Sequence, residues 1–337
     1  MKGRQGGAAL LLAMLTVTLV ASLAASALWR QWRASEVEAA ERARIQSAWL
    51  LVGALDWSRL ILREDSLARS GDGSDNLTEP WAIPLAEARL STFLAAQPGT
   101  AEVADASSDT SAAFLSGQIN DQQALLNLRN LEQDGQPDAS AQRQFARLFQ
   151  YLGLPAQQLE QLTQAMVQAL SRQGEAAPLL PRSVAQLTWW GLPAASVARL
   201  APHVTLLPAR TPVNLNTASA LVLWASASGL SLAQAQQLVQ AREARPFSSE
   251  ADATKLLGEA AARSGISAST HSVASQYFEV RGRLRLQGHV VEERSLVLKQ
   301  RGLARTLWRE RGTPALASAA AADTGSGPYN AAPTRAP

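Results

Sequence analysis

The feature that most constrains this chain is an uncharged, apolar run from Ala8 to Leu28, with no ionisable side chain between Arg4 and Arg30. A helix rises about 1.5 Å per residue, so roughly 20 apolar residues cross a bilayer, and the run just meets that length. Three readings of the run give three different mature N-termini. A plain transmembrane anchor would keep Met1. A secretory signal peptide would use Lys2 and Arg4 as its charged start and Ala25-Ser26-Ala27 as a small-residue cleavage site, leaving a chain that begins at Leu28. A short basic leader, Met1 to Gly7, would instead be cut on the cytoplasmic side, and the run would stay in the bilayer as the first half of a long helix. The third reading is favoured, because the run exceeds the usual signal core and Trp29-Arg30-Gln31-Trp32 follows it directly.

Lys2, Arg4, Gln5, Gly6 and Gly7, followed by the apolar stretch from Ala8 to Val17, resemble the leader of the type IV prepilin class. That resemblance implies cleavage between Gly7 and Ala8 by a prepilin peptidase, and N-methylation of Ala8. Most members of the class carry glutamate at the fifth mature position. Here that position is Leu12, a departure that resembles one branch, the K-type minor pseudopilins of type II secretion systems. An acidic side chain at a membrane helix centre costs about 2.5 to 3.5 kcal/mol on insertion scales. In filaments of this class, the resemblance implies, the amine of the neighbouring subunit offsets that cost. A subunit with no neighbour above it would leave the carboxylate unpaired, so leucine suits a tip subunit.

The chain has 337 residues, 47% of them hydrophobic, enough for one sizeable core or two modest ones. Net charge is only +3 and lysine occurs only at Lys2, Lys255 and Lys299, so there is no strong basic field. With no cysteine, the fold owes nothing to disulfides. From Trp29 the helical pattern continues into water. Glu36, Glu38, Glu41, Arg42 and Arg44 form a charged side, and Val37, Ile45, Trp49, Val52 and Leu55 an apolar stripe. A helix from Ala8 to Asp65 would be about 87 Å long, and Trp49 and Trp57 are expected to contact whatever packs on it.

Turn residues from Ser70 to Asn76 stop the helix. Glu79-Pro80-Trp81-Ala82 resembles a Glu-x-Trp-Ala segment of the K-type family, and residues 97–112 read as an exposed loop. Phe114 to Asp121 is a candidate strand. It leads into a stretch resembling a family hallmark, an acidic residue followed by an Asn-Leu-Asn-rich turn, here matched at Asp121, Asn127, Leu128, Asn130 and Leu131. Ala124 stands where the family usually has glycine and Arg129 where it has a second asparagine, which puts the detail of the turn in question.

A helical block occupies about Ser140 to Ser272. Ser140 is a candidate cap for a helix ended by Gly153, and Pro155 opens another to about Arg172. Ser183 to Leu187, Pro193 to Leu200 and Ser219 to Ser226 are shorter candidates. Pro212 to Ser219, with Leu230 to Arg242 and Arg245 to Ser248, resembles both the helix-hairpin-helix phrase of competence-type DNA-binding proteins and the same phrase in K-type pseudopilins. A DNA-binding hairpin grips phosphate through backbone N–H groups in a glycine-containing turn beside basic side chains. Here Ser226 to Ser231 has one glycine and no lysine, with only Arg210, Arg242 and Arg245 nearby, so a protein-packing module is favoured. A membrane-anchored periplasmic DNA-binding or DNA-uptake protein is the alternative reading.

K-type members carry a carboxylate-rich region fit for calcium. The corresponding residues here, Ala165 to Glu175, hold a single carboxylate, too few for an ion that takes six or more oxygens. Glu132, Asp134 and Asp138 read as a solvated turn, and no cofactor is assigned. His203, His271 and His289 lack zinc-ligand spacing, and no nucleophile elbow or phosphate loop occurs. Catalysis is therefore not expected.

From Ser275 the period changes to two. Tyr277 to Leu286, a turn at Gln287-Gly288 and His289 to Gln300 read as a hairpin, which with the strand ending at Asp121 would pack on the first helix. The expected fold class is α+β: a pilin-like long N-terminal helix packed on a small antiparallel sheet, with a large all-α insertion. The expected segments are a leader (1–7), the transmembrane half-helix (8–28), the periplasmic helix half and start of the pilin-like domain (29–124), the α-helical insertion (125–272), the C-terminal strands (273–311) and a disordered tail (312–337). The family resemblance implies an inner-membrane protein with a cytoplasmic N-terminus and a periplasmic bulk. Its implied partners are two smaller minor pseudopilins in a tip complex, the major pseudopilin, the prepilin peptidase and the inner-membrane secretion platform; nucleic acid is not expected.

Overall fold

One helix, α1 (Gly6–Leu67), spans 62 residues, about 93 Å at the usual rise. The structure is a computed structural model and describes residues 6–67, 73–95, 113–171, 178–258, 264–286 and 289–312. Residues 1–5, the loop expected at 97–112, the turn at 287–288 and the tail from 313 lie outside them. Every residue of α1 from Ala8 to Leu28 is exposed, so this apolar half packs on no other described part of the chain.

In its second half α1 buries Ala43, Ser47, Leu51, Leu55 and Leu62. Spacings of four and seven put these residues on one face. This corrects the expected stripe, of which Leu55 is buried as expected and Val52 half-buried. Trp49 is 71% exposed, Val37 and Ile45 are exposed and Trp57 is 36% exposed. The sheet covers only one side of the helix, and the small Ala43 and Ser47 let that side approach closely. Bulk alone does not choose a helix face.

The sheet has five antiparallel strands: β1 (Leu85–Arg89), β2 (Ala113–Asp121), β3 (Tyr277–Leu286), β4 (His289–Gln300) and β5 (Leu303–Gly312), in the spatial order β1-β2-β3-β4-β5. The three strands expected are present, and the two edge strands β1 and β5 are additional. One row runs Gly117, Gly282, Glu293, Arg311 across β2 to β5. A Cβ on Gly282 would stand 3.2 Å from Leu51 Cδ2, so glycine here sets how near α1 lies. Phe278, Val280 and Val297 pack with Leu55 and Leu62, while Leu284, Leu286 and Leu115 pack with Ala43 and Leu51. Trp81, in the 3-10 turn Pro80–Ala82, meets Phe278 edge-on at 5.0 Å.

Between β2 and β3 the chain forms a separate helical core. It holds α3 (Ala139–Tyr151), α4 (Ala156–Ser171), α5 (Ala194–Leu200), α6 (Ala220–Ser226), α7 (Leu232–Ala244) and α8 (Glu250–Leu256); the earlier α2 (Leu90–Ala95) follows β1. Phe145, Leu148, Leu162, Met166, Leu200 and Leu238 are buried there. Asp138, not Ser140, caps α3, accepting from Ala141 N–H. Gly153 ends the helix segment with φ of 61°, a left-handed conformation that glycine adopts without strain. Val184–Trp190 is a 3-10 helix, and α8 was not foreseen. This block meets the sheet at the end where α1 terminates: β2 leads out of the sheet at Asp121, opposite Phe278, and Phe278 packs with Leu62 in the last turns of α1.

Candidate functional site

Gly7, Ala8 and Leu12, the residues of the expected cleavage and fifth-position features, all lie in the first turns of α1, with Leu12 65% exposed. They touch none of the polar clusters described below. The side chains that do converge lie at the other end of α1, where the sheet joins the helical block.

Asp121, the last residue of β2, is the centre of that junction. Its Oδ1 accepts from Gln123 N–H at 2.7 Å. Its Oδ2 accepts from Thr217 Oγ1 at 2.5 Å, Ser275 Oγ at 2.7 Å and Asn214 Nδ2 at 3.1 Å. Burial raises its pKa, with these hydrogen bonds pulling the other way. Asn214 also donates to Asp75 O and Ser275 Oγ, which ties the 73–79 segment to the same point. Four separate stretches of chain thus meet on one carboxylate and one amide.

The hallmark asparagines act in the same way. Asn127 Oδ1 accepts from Arg129 N–H and Leu207 N–H, and its Nδ2 donates to Ala209 O and Thr211 Oγ1. Asn130 pairs both ways with the backbone of Thr211. Asn216 does the same with Phe247. An amide presents one donor end and one acceptor end, which matches the edge of a peptide group. The two departures are accommodated: Ala124 and Arg129 sit in 3-10 turns capped by Asp121 and Asn127.

Beside the junction, Lys299 Nζ from β4 lies 2.7 Å from Asp65 Oδ2 on α1 and pairs with Asp75. Burial pushes Asp75 up to about 6, against the pull of that ammonium. Glu79, which accepts from Trp81 Nε1 and Asn76 Nδ2, is pushed up to about 7 by burial. Asp65, Asp75 and Glu79 are close enough to share an ion, but the lysine ammonium already fills the role of cation between Asp65 and Asp75. At the other acidic cluster, Glu132 accepts from Arg129 and Gly135 N–H, and Asp138 from Ala141 N–H and Arg210. These carboxylates are committed to donors of the chain itself. Of the stretch expected to correspond to a calcium region, Ala165 to Ser171 lies in α4 and the rest lies outside the described residues.

His271 is fully buried between Ser226 Oγ, 2.9 Å from Nε2, and Thr270 Oγ1, 2.8 Å from Nδ1. Desolvation lowers its pKa to about 4, which suits a neutral packing residue with no route to a substrate. The hairpin between α6 and α7 also commits its donors to acceptors of the chain itself. Gly229 N–H donates to Ser264 O, Leu230 N–H to Ala227 O and Ser231 N–H to Gln234 Oε1. Arg147 covers the carbonyls of Ala227 and Leu230, Arg242 is buried on Leu215 O, and Arg210 is held by Asp138. Of the three arginines that a phosphate would need, Arg242 is buried and Arg210, though exposed, is paired with Asp138, which leaves Arg245 exposed.

Two models of type II secretion system protein K match the chain, over residues 124–209 and 213–274. The chain belongs to the type II secretion system protein K family. Protein K of Pseudomonas aeruginosa is 27% identical over 305 residues, covering 83% of this chain and 84% of the relative. Protein K of Klebsiella pneumoniae is 27% identical over 334 residues, covering 89% and 94%. A chain in the crystal structure of the GspK-GspI-GspJ complex from enterotoxigenic Escherichia coli superposes with a TM-score of 0.61, over 81% of this chain and 98% of that one, at 20% identity. Asn127 and Asn130 fall in the first matched segment and Asn214 and Asn216 in the second. The family's matched regions therefore contain the amides that fasten this K-type minor pseudopilin together.

Proposed function

We propose that this chain is a non-enzymatic subunit at the tip of the type II secretion pseudopilus, where it initiates or caps assembly for the export of folded periplasmic proteins. The observation that carries this reading is the position of the helical block, at the end of the sheet where α1 stops. A subunit stacking above would meet that block instead of a free helix end. Leu12 supports the same position, since a tip subunit has no upper neighbour to neutralise a carboxylate. The chain sits in the inner membrane through the first half of α1, with its N-terminus cytoplasmic and its bulk periplasmic. The prepilin peptidase cuts between Gly7 and Ala8, and Ala8 is methylated. Its partners are two smaller minor pseudopilins, as in the GspK-GspI-GspJ complex of the similar structure, with the major pseudopilin and the inner-membrane platform.

Mass spectrometry of the mature N-terminus, from cells with and without prepilin peptidase, tests the reading. A peptidase-dependent, methylated Ala8 is expected; a start at Leu28 or an intact Met1 would overturn it. Leu12→Glu is expected to insert normally yet impair tip assembly, and normal tip complexes and secretion in that variant would refute the capping argument.

A further inference from the structure

Between α1 and the segment from Pro80 to Leu85 lies a cavity of about 290 Å³ that nothing in the chain's described residues fills. Its walls are apolar: Leu55 and Ile61 from α1, Ile119 from β2 and Val280 from β3. One polar group at its floor stands out. Ser295 is 1% exposed, lines the cavity, and its Oγ has no hydrogen-bond partner among the described residues. A buried hydroxyl left without a partner is disfavoured, and such groups in folded proteins ordinarily find one. Ser58, Ser116 and Gln118 also line the cavity, and its two charged residues are paired, Glu293 with Arg309 and Arg311 from β5 and Arg281 with Glu279, so it presents no unpaired charge among the described residues.

We propose that this cavity is a socket for one bulky, uncharged side chain of a neighbouring subunit, an aromatic or branched aliphatic residue, with the Ser295 hydroxyl directed at any polar atom it carries. A cavity of about 150 Å³ takes benzene, so 290 Å³ takes a Phe-, Leu- or Trp-sized group with space to spare. The rim decides between a protein and a free small molecule. Ile83 is 68% exposed, Pro84 beside it is exposed, and Trp57 is 36% exposed. A small molecule would fill the cavity and leave that apolar rim in water, whereas a protein surface covers both. Anchor side chains in pockets ringed by water-excluding contacts dominate interface energetics. The neutral interior selects against Lys, Arg, Asp or Glu as the anchor, because each would be buried unpaired.

This inference rests on the reading of the chain as an assembly subunit, and the experiment separates the two. The chain contains no cysteine, so Ile83→Cys in the full-length protein places a single thiol on the rim. Maleimide labelling is expected to be fast in the isolated protein in detergent and at least tenfold slower in the complex with its partner pseudopilins. Ala54→Phe, which fills the cavity from α1, is expected to keep or raise the thermal midpoint while abolishing co-purification of partners. Equal labelling of the Ile83→Cys protein in both states would sink the socket, as would slow labelling in the isolated chain or normal assembly of a folded Ala54→Phe protein. So would indole raising the thermal midpoint while leaving complex formation intact. Failure of the unsubstituted chain to form any complex would sink the subunit reading itself, and the socket with it.

Discussion

Asp121 offers the sharpest test of the junction, because two substitutions at it separate shape from chemistry. Asp121→Ala removes the acceptor of four donors: one backbone N–H, two hydroxyls and one amide. A buried donor left unpaired costs about 1 to 3 kcal/mol. Asn214 and Ser275 keep their bond to each other, and both hydroxyls rotate, so the loss is nearer the lower end for each, about 4 kcal/mol in total. Asp121→Asn keeps the shape and the bond from Gln123 N–H. It also turns an NH2 group toward Asn214 Nδ2, which donates only, while Thr217 and Ser275 reorient to accept. Relief from burying a carboxylate offsets part of this, leaving about 2 kcal/mol. For a chain of this size 1 kcal/mol moves the thermal midpoint by about 2 to 4 °C. The expected drops are therefore about 8 to 16 °C for Ala and half that for Asn, read by tryptophan fluorescence and circular dichroism. An alanine variant within about 1 °C of the parent, or an asparagine variant as damaged as alanine, would refute the argument that directional acceptance by this carboxylate holds the junction.

Lys299→Met should cost about 3 to 5 kcal/mol at pH 8, as expected when one partner of a buried ion pair is removed, and denaturant unfolding should show the deficit shrinking toward pH 5 as Asp75 takes up a proton. The folded pKa values of Asp75, about 6 against 3.8, and Glu79, about 7 against 4.5, are raised. The stability they contribute is thus fully present below the unfolded values and lost as pH rises through 6 to 7. His271 works the other way: its folded pKa is depressed from 6.5 to about 4, so its contribution is present above 6.5 and lost as pH falls toward 4. His271→Asn should therefore flatten the acid limb of the stability curve, which unfolding at pH 4, 5 and 7 would reveal. Asp138→Ala should lower stability by about 1 to 2 kcal/mol through loss of the α3 cap and the Arg210 pair, with an unchanged transition ruling the cap unimportant.

The long helix, the three central strands and most helices of the block were legible because each is written in local periodicity. The buried face of α1 was not. Its marker is the spacing of Ala43, Ser47 and Leu51, whereas the eye is drawn to Trp49 and Trp57, and only the sheet decides which side is covered. Strand β5 was obscured because Arg305, Arg309 and Arg311 dilute the apolar alternation, two of them being partners of Glu293 on a strand next to it. The hallmark asparagines were recognised by resemblance, but their work as amide clamps on backbone about 80 residues away was invisible locally. The Lys299 cluster was hidden for the same reason, since its partners lie 234 and 224 residues distant.

That long separation explains why the junction is polar. The sheet packed on α1 and the helical block have distinct apolar cores, and apolar burial between two bodies is non-directional; it would let the block settle at several attitudes. A carboxylate accepting four bonds, an amide donating to three groups and a lysine between two acids each tolerate one arrangement. Such networks add modest net stability and strong orientational preference. Glu79, joined to the indole of Trp81, carries that preference into the segment that walls the apolar cavity. The attitude of the block, the end of α1 and the shape of the cavity mouth are therefore set by one connected group of side chains, so loosening Asp121 should increase proteolysis within 73–85 as well as within the helical block.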